Sequence, residues 1–123
     1  MTNDLIINNQ TVFDKIKKTD VNGNEYWSAR ELAKVLEYSE YRYFKQVIER
    51  AKEACKNSGQ NISDHFEDML DMVKIGSGAE RPLDDGVKLS RYACYLIVQN
   101  ANPGKEVVAM GKIIDKYITV QID

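Results

Sequence analysis

The sequence predicts an α+β domain in which small antiparallel hairpins pack with five or six helices, two of them arranged like a helix-turn-helix. Three observations support this fold class. Capping residues precede apolar stripes at helical spacing, turn-forming residues separate short strand-like runs, and a length of 123 residues suits one domain. Hydrophobic residues make up 43% of the chain, which is enough for a stable core without disulfide bonds.

The first half of the chain is predicted to hold a hairpin and three helices. Residues 11–17 form a short helix, and Asn22-Gly23 marks a hairpin turn because this dipeptide tolerates positive φ. Residues 28–31 have the pattern of a capping box in front of the second helix. Ser39 is expected to cap the third and longest helix. Its apolar stripe recurs at steps of three and four: Tyr41, Phe44, Val47, Ile48, Ala51, Cys55.

The middle of the chain combines helix, strand and turn signals. Ser58-Gly59 is expected to end the long helix, since glycine adopts left-handed geometry easily. Residues 63–70 are predicted as another helix. Residues 72–75 and 87–89 are predicted as short strands that pair with each other across the loop 77–82.

The C-terminal third is predicted to contain two helices. Ser90 caps the first of them, and Asn102-Pro103 ends it. Residues 104–118 form the last helix, and few residues are left to cover its apolar positions. The core of the single domain is therefore expected at about 11–103. The last helix either leads into a further region or supports self-association, so both a natural short protein and the N-terminal domain of a longer one fit.

The cysteines and the termini indicate a protein of a reducing compartment. Cys55 and Cys94 lie on apolar helical patterns and are expected to be buried, reduced thiols. No run approaches the length of a membrane span, and the N-terminus lacks the features of a signal peptide. The expected location is the cytoplasm, and no cofactor, metal or membrane partner is predicted.

The net charge of −2 limits the kind of nucleic-acid binding that is possible. A domain that depends mainly on phosphate contacts is usually strongly basic. Any DNA-binding surface must therefore be local. A protein partner is a serious competing interpretation.

The helix pair on either side of Tyr38 is the first candidate site. A short helix, a tight turn and a longer helix are the layout of a helix-turn-helix. Arg42, Lys45, Gln46 and Arg50 are predicted on the outer face of the longer helix, where they would contact phosphates and base edges. The alternative is an ordinary amphipathic helix pair with a solvated polar face.

A second candidate is the glycine-containing loop 76–81. Arg81 lies at its end, and Arg91 follows the next strand, so both are candidate DNA contacts. The alternative is a plain hairpin connection with solvated charges. The loop lacks the flanking pattern of a phosphate-binding loop, which gives nucleotide hydrolysis no support.

Catalysis has the weakest support in the sequence, and no enzyme activity is predicted. His65 is the only histidine, and it is better explained as a surface or packing residue than as a general base. Four carboxylates are predicted to share the solvent face of the 63–70 helix. A metal-dependent nuclease is the least favoured explanation of them, and docking of a basic protein partner is favoured over it. The four residues are Asp64, Glu67, Asp68 and Asp71.

Three long segments carry a family resemblance: 39–59, 64–83 and 89–103. From about Phe13 to about Ala109 the chain resembles the N-terminal region of the DNA-damage-inducible protein D family. That bacterial family carries a BRO-type domain of the kind found in phage antirepressors. The family usually has Leu-Gly-Tyr where this chain has Leu36-Glu37-Tyr38, which puts the geometry of the turn in question.

The resemblance, together with the basic outer face of the longer helix, implies a non-enzymatic DNA-associated protein of the DNA-damage response that binds DNA through this helix face. The alternative is an antirepressor-like interaction module that acts on a DNA-bound repair, recombination or repressor protein. DNA strandedness, sequence preference, partner identity and oligomeric state stay open at this point.

Overall fold

The computed structural model describes residues 13–101, which form four α-helices and one four-stranded antiparallel sheet. The α+β class is correct, but the predicted number of five or six helices is wrong. The elements follow in this order: α1 (described residues 13–16), β1 (Lys18–Thr19), β2 (Glu25–Ser28), α2 (Ala29–Val35), α3 (Tyr41–Asn57), a 3-10 turn (Ile62–Asp64), β3 (Phe66–Lys74), β4 (Glu80–Leu89) and α4 (Arg91–Asn100).

The strands lie in the order β1-β2-β4-β3. The predicted hairpin at Asn22-Gly23 joins β1 to β2, and of its two turn residues only Gly23 has positive φ. Strand β2 pairs with β4 only at its end, where Trp27 is opposite Leu89 and Ser28 is opposite Lys88. The chain then turns directly into α2, which packs against β4 where β2 has ended.

The largest correction concerns residues 66–74, which form a strand, whereas residues 63–70 had been predicted as a helix. The apolar spacing there suits a helix, but tertiary pairing decides the outcome. Strand β3 pairs with the whole of β4, and the pairs Glu67–Lys88 and Lys74–Glu80 place opposite charges across the ladder.

The long hairpin also corrects the predicted strand pairing. Met72 pairs with Pro82, and Val87 pairs with Asp68, so the strands are longer and paired differently than predicted. Pro82 is tolerated inside β4 because at that point β4 has a strand neighbour on one side only.

The core lies between the sheet and helices α3 and α4. Trp27 and Phe44 are fully buried, as predicted, and the apolar stripe of α3 faces inward. The Trp27 indole N–H donates to the Phe13 carbonyl at 3.0 Å, and the two rings stack with centroids 4.5 Å apart. Cys55 and Cys94 are buried free thiols.

The helix caps were mostly predictable. The hydroxyls of Ser28 and Ser90 accept from the backbone N–H groups three residues on, and Gly59 adopts positive φ after α3. The predicted cap at Ser39 is wrong. The N-cap of α3 is Glu40, and its side chain makes no capping bond.

Several predictions fall outside the described residues: the start of the first helix, the stop at Asn102-Pro103, the last helix at 104–118 and self-association through it. Within 13–101, α4 ends at Asn100. None of the helices in this part of the chain has both the length and the apolar character needed to cross a membrane.

Candidate nucleic-acid interface

Helices α2 and α3 follow each other as a short helix, a tight turn and a longer helix, and the turn has left-handed geometry at Glu37. The φ of Glu37 is 64°. This is the position at which the resembled family usually has glycine. The Glu37 N–H donates to the Lys34 carbonyl at 3.0 Å, and the Tyr38 N–H donates to the Ala33 carbonyl at 2.9 Å. This bond pattern is a Schellman motif, in which glycine is the preferred residue. The chain therefore keeps the turn at a conformational cost.

The outer surface of α3 is more basic than the domain as a whole. The helix carries five basic and two acidic residues, while the complete chain has a net charge of −2. Helical geometry places Arg42, Gln46 and Arg50 in one exposed row, four residues apart. We call these three residues the α3 row.

Arg42 is the most prominent member of the α3 row, with 69% of its side chain exposed. Its guanidinium lies 4.9 Å from the Tyr43 ring centroid and donates to the Tyr43 hydroxyl at 3.1 Å. A second contact joins it to Glu40 at 3.2 Å. Arg50 donates to the Asn100 carbonyl at 3.2 Å, which ties the middle of α3 to the end of α4.

Lys45 faces away from the α3 row, toward the sheet. Its ammonium lies 2.7 Å from Asp85 of β4 and 5.5 Å from the Tyr41 ring centroid. Lys45 therefore stabilises the packing of α3 on the hairpin, and it is less available to a ligand than the sequence suggested.

A partly buried charge cluster fixes the helix pair to the β3–β4 hairpin. Arg30 of α2 donates to Asp71 at 2.8 Å and also bonds to Asp85. Its guanidinium lies 4.2 Å from the centroid of the Tyr41 ring, and the Tyr41 hydroxyl donates to the Asp85 carbonyl at 2.9 Å. With Lys45, the cluster holds two positive and two negative groups, so its charges balance.

The environment of this cluster shifts several pKa values. Burial opposes the charge on Arg30, but its bonds to Asp71 and the charge of Asp85 prevail, so the pKa of Arg30 is raised. Hydrogen bonding from Lys45 is the main reason why the pKa of Asp85 is lowered, against the effect of burial. Burial raises the pKa of Tyr41 to about 12. Arg30 and Asp85 thus stay charged while the Tyr41 hydroxyl stays neutral.

The other two predicted arginines have different surroundings. Arg81 is exposed on the outer part of β4, opposite Val73, and lies on a different element from the α3 row. Arg91 makes two hydrogen bonds to Glu25, of 2.7 and 2.9 Å, and lies over the Trp27 ring at 5.2 Å. These bonds raise the pKa of Arg91 and lower that of Glu25. Arg91 therefore joins α4 to β2.

The four predicted acidic residues do not share one helical face, because three of them lie on a strand. Glu67 and Asp68 are adjacent in β3 and point to opposite faces of the sheet. The Asp71 side chain is only 11% exposed and is held by Arg30. Asp64 lies in the 3-10 turn, outside the strand.

An acidic cleft of about 250 Å³ gathers two of these carboxylates, Asp64 and Glu67, beside the β1–β2 hairpin. Lys88 also lines it and pairs with Asp20 at 3.2 Å. The cleft differs from the single helical face that the sequence predicted.

His65 has a packing role in the structure. Its Nδ1 lies 2.7 Å from the Ser90 hydroxyl, which also accepts from the Ala93 N–H to cap α4. The centroid of the imidazole ring lies 4.8 Å from that of the Tyr92 ring. Burial lowers the pKa of His65. Across residues 13–101, no group of three or more histidine, cysteine or acidic side chains is placed to hold a metal ion.

Comparison with known proteins agrees with the family resemblance seen in the sequence. Residues 15–119 match the N-terminal domain model of the BRO family. The chain belongs to this family. It is 62% identical over 109 residues to DNA damage-inducible protein D of Escherichia coli (strain K12). The match covers 89% of this chain and 38% of the relative, so the BRO domain described here spans about two fifths of that protein. No solved structure matches the chain.

Sequence reasoning missed the most important positioning residues of this BRO domain. Arg30 is an interior position of the predicted capping box, and Asp85 lies between the predicted loop 77–82 and the predicted strand 87–89. The separation of 55 positions between Arg30 and Asp85 left no local signal of their contact. The exposed position of the α3 row, in contrast, follows directly from the spacing of the apolar stripe.

Proposed function

We propose that this BRO domain is a non-enzymatic, DNA-associated protein of the DNA-damage response that contacts DNA through the α3 row. The observation that supports it is an exposed row of two arginines and a glutamine on a helix whose opposite face lies in the core. Arginine pairs with phosphates and guanine edges, and glutamine pairs with adenine edges. The charge cluster around Arg30 would hold this helix at a fixed angle to the hairpin.

The damage-response part of the proposal rests on similarity to a relative whose name describes it as DNA damage-inducible. A cytoplasmic location would suit both access to bacterial DNA and the two free, buried thiols. Arg81, at the outer part of the hairpin, is a candidate for a secondary contact. Arg91 would contribute through the fold, because Glu25 and Trp27 already hold its guanidinium.

The decisive experiment measures DNA affinity across a salt series for the wild type and for Arg42→Ala/Arg50→Ala. Losing two phosphate contacts should flatten the slope of log K against log salt by up to about 1.8 on duplex DNA and about 1.4 on single strands. Affinity is expected to be modest, because the net charge of −2 gives no long-range attraction to DNA.

A matched control separates the helix from the general effect of charge. Lys15→Ala/Lys17→Ala also removes two positive charges, but from a different part of the chain, where both side chains are exposed. This control should keep the wild-type slope. Equal flattening in both variants, or an absence of binding by the wild type at low salt, would count against the α3 row.

The second candidate function is a protein-interaction module that acts on a DNA-bound partner, as an antirepressor does. The acidic cleft beside the β1–β2 hairpin favours it, since two of its carboxylates, Asp64 and Glu67, are exposed. A folded protein that fails to bind DNA but binds a basic peptide, with loss of binding in Asp64→Asn/Glu67→Gln, would support this function over the first.

A further inference from the structure

Strand β3 forms a long edge of the sheet. It is nine residues long, and it follows β4 at the end of the strand order. In the described part of the chain no strand pairs with its outer edge, while the opposite edge strand, β1, has only two residues. Natural proteins protect such an edge with proline, a bulge, a short strand or charged side chains. The β3 sequence contains no proline, and its charged residues are Glu67, Asp68, Asp71 and Lys74.

The bulge in this hairpin leaves β3 regular. Between the pairs Met69–Gly86 and Asp71–Leu83, β3 advances by two residues and β4 by three, so the extra residue belongs to β4. Side chains along β3 therefore alternate between two faces without interruption. Residues 68, 70, 72 and 74 share one face, and all four are exposed.

This shared face is apolar at its centre and charged at its ends. Leu70 is 66% exposed and Met72 is 56% exposed, which is unusual for adjacent positions on one face of a strand. Asp68 precedes them and Lys74 follows them. The face is therefore arranged as acidic, apolar, apolar, basic.

We propose that β3 pairs in antiparallel fashion with β3 of a second copy of this chain, about a two-fold axis at Asp71. In this register Leu70 lies opposite Met72 of the second copy, and Asp68 lies opposite Lys74. Symmetry repeats each pair, giving two apolar and two ionic cross-strand contacts. The pairing covers the edge and the exposed apolar side chains together.

The other symmetric registers are less complementary. An axis at Leu70 would place Asp68 opposite Met72 and Phe66 opposite Lys74. An axis at Met72 would place Leu70 opposite Lys74. The axis at Asp71 brings two aspartates together, but each carboxylate is held by Arg30 of its own subunit at 2.8 Å, on the other face of the strand.

The charges at the ends of the face provide a test by charge reversal. Sedimentation equilibrium of the 123-residue chain should show a dimer. Asp68→Lys or Lys74→Asp alone places like charges opposite each other at two symmetric positions, so each should weaken dimerisation about tenfold. The double variant Asp68→Lys/Lys74→Asp should recover affinity relative to Lys74→Asp alone, which faces Glu80 of its own hairpin in the same way, because it exchanges the partners of each pair between the two copies.

A control variant and a second measurement keep the test specific. Glu53→Lys makes the same charge change as Asp68→Lys, but on α3, and should leave the dimer unaffected. A mixture of Leu70→Cys and Met72→Cys proteins should form a mixed disulfide under mild oxidation, more readily than either protein alone. Circular dichroism of every variant would establish that the fold is kept.

Three results would overturn the proposal. A wild-type chain that is monomeric at every concentration would leave the β3 edge to a strand from a different protein. A dimer that is insensitive to both single reversals would place the interface elsewhere, for example on residues 104–118. Failure of the double variant to recover would reject the register at Asp71. All three are independent of DNA binding by the α3 row.

Discussion

The side chain of Asp71 lies directly over Gly86 of the neighbouring strand, where its carboxyl atoms would be 2.7 Å from a Cβ atom. Only a residue without a side chain leaves room for this crossing. By crossing Gly86, the Asp71 side chain of β3 reaches Arg30, which lies on α2, beyond β4. The absence of one methyl group at position 86 therefore permits the ion pair that ties the helix pair to the hairpin.

Replacing Gly86 with alanine should break this ion pair. The methyl group would displace the Asp71 carboxylate and leave partly buried charges without their partners, so the free energy of unfolding should fall by about 1–3 kcal/mol. Gly76→Ala is a matched control, because a Cβ at Gly76 meets nothing within 4 Å. It should change stability by less than about 0.5 kcal/mol in urea denaturation. Equal effects of the two substitutions would contradict the role of the crossing.

The left-handed turn at Glu37 should be improved by glycine. A non-glycine residue at φ 64° bears a steric cost, so Glu37→Gly should be more stable than Glu37→Ala by about 1 kcal/mol. Comparing these two variants removes the glutamate side chain from both and isolates the backbone effect. Thermal or urea unfolding measures the difference. Equal stability would mean that the turn relaxes to ordinary geometry.

Asp85 should contribute to the acid sensitivity of the fold. Its pKa in the folded state lies below the ordinary value of 3.8, chiefly because Lys45 bonds to it. Since the folded pKa is depressed, the stabilisation is present above the unfolded pKa and is lost as the pH falls below 3.8 through the folded pKa. Asp85→Asn should flatten the fall of unfolding free energy in that range. The exposed neighbour Asp84 offers the control Asp84→Asn, which removes a carboxylate from the same strand but leaves the bond between Lys45 and Asp85 in place.

Phe44 should be a major source of core stability. Its side chain is fully buried between Tyr38 and Tyr41, so Phe44→Ala should cost about 3–5 kcal/mol. The adjacent Tyr43 is 49% exposed, and Tyr43→Ala should have a much smaller effect. Urea denaturation of both variants measures the difference. A loss below about 1 kcal/mol for Phe44→Ala would mean that the site repacks almost completely.

The two cysteines should react slowly in the native protein. Both are buried, and burial raises the pKa of the Cys55 thiol, which lowers the amount of reactive thiolate at neutral pH. Labelling with a thiol reagent should be fast only after unfolding in denaturant. Rapid modification of both cysteines under native conditions would show that the core around α3 and α4 opens readily.

The sequence by itself determined the features that depend on neighbouring residues. The serine caps at positions 28 and 90, the glycine stop at 59 and the inward stripe of α3 all follow from interactions within a few positions along the chain. The strained position of Glu37 was also predictable from the sequence, because the left-handed turn prefers glycine, and this preference depends only on the residue at that position. These local rules also placed the α3 row on the exposed side of the helix.

Tertiary structure alone decided the identity of β3 and the charge cluster. The apolar spacing of residues 66–74 suits a helix, but pairing with β4 provides a ladder of hydrogen bonds and opposite charges that no isolated segment shows. The acidic residues were consequently divided among the two faces of a strand and the 3-10 turn. Arg30, Asp71 and Asp85 meet only because α2 continues from β2 along β4, and such a contact between distant segments depends on the assembled sheet.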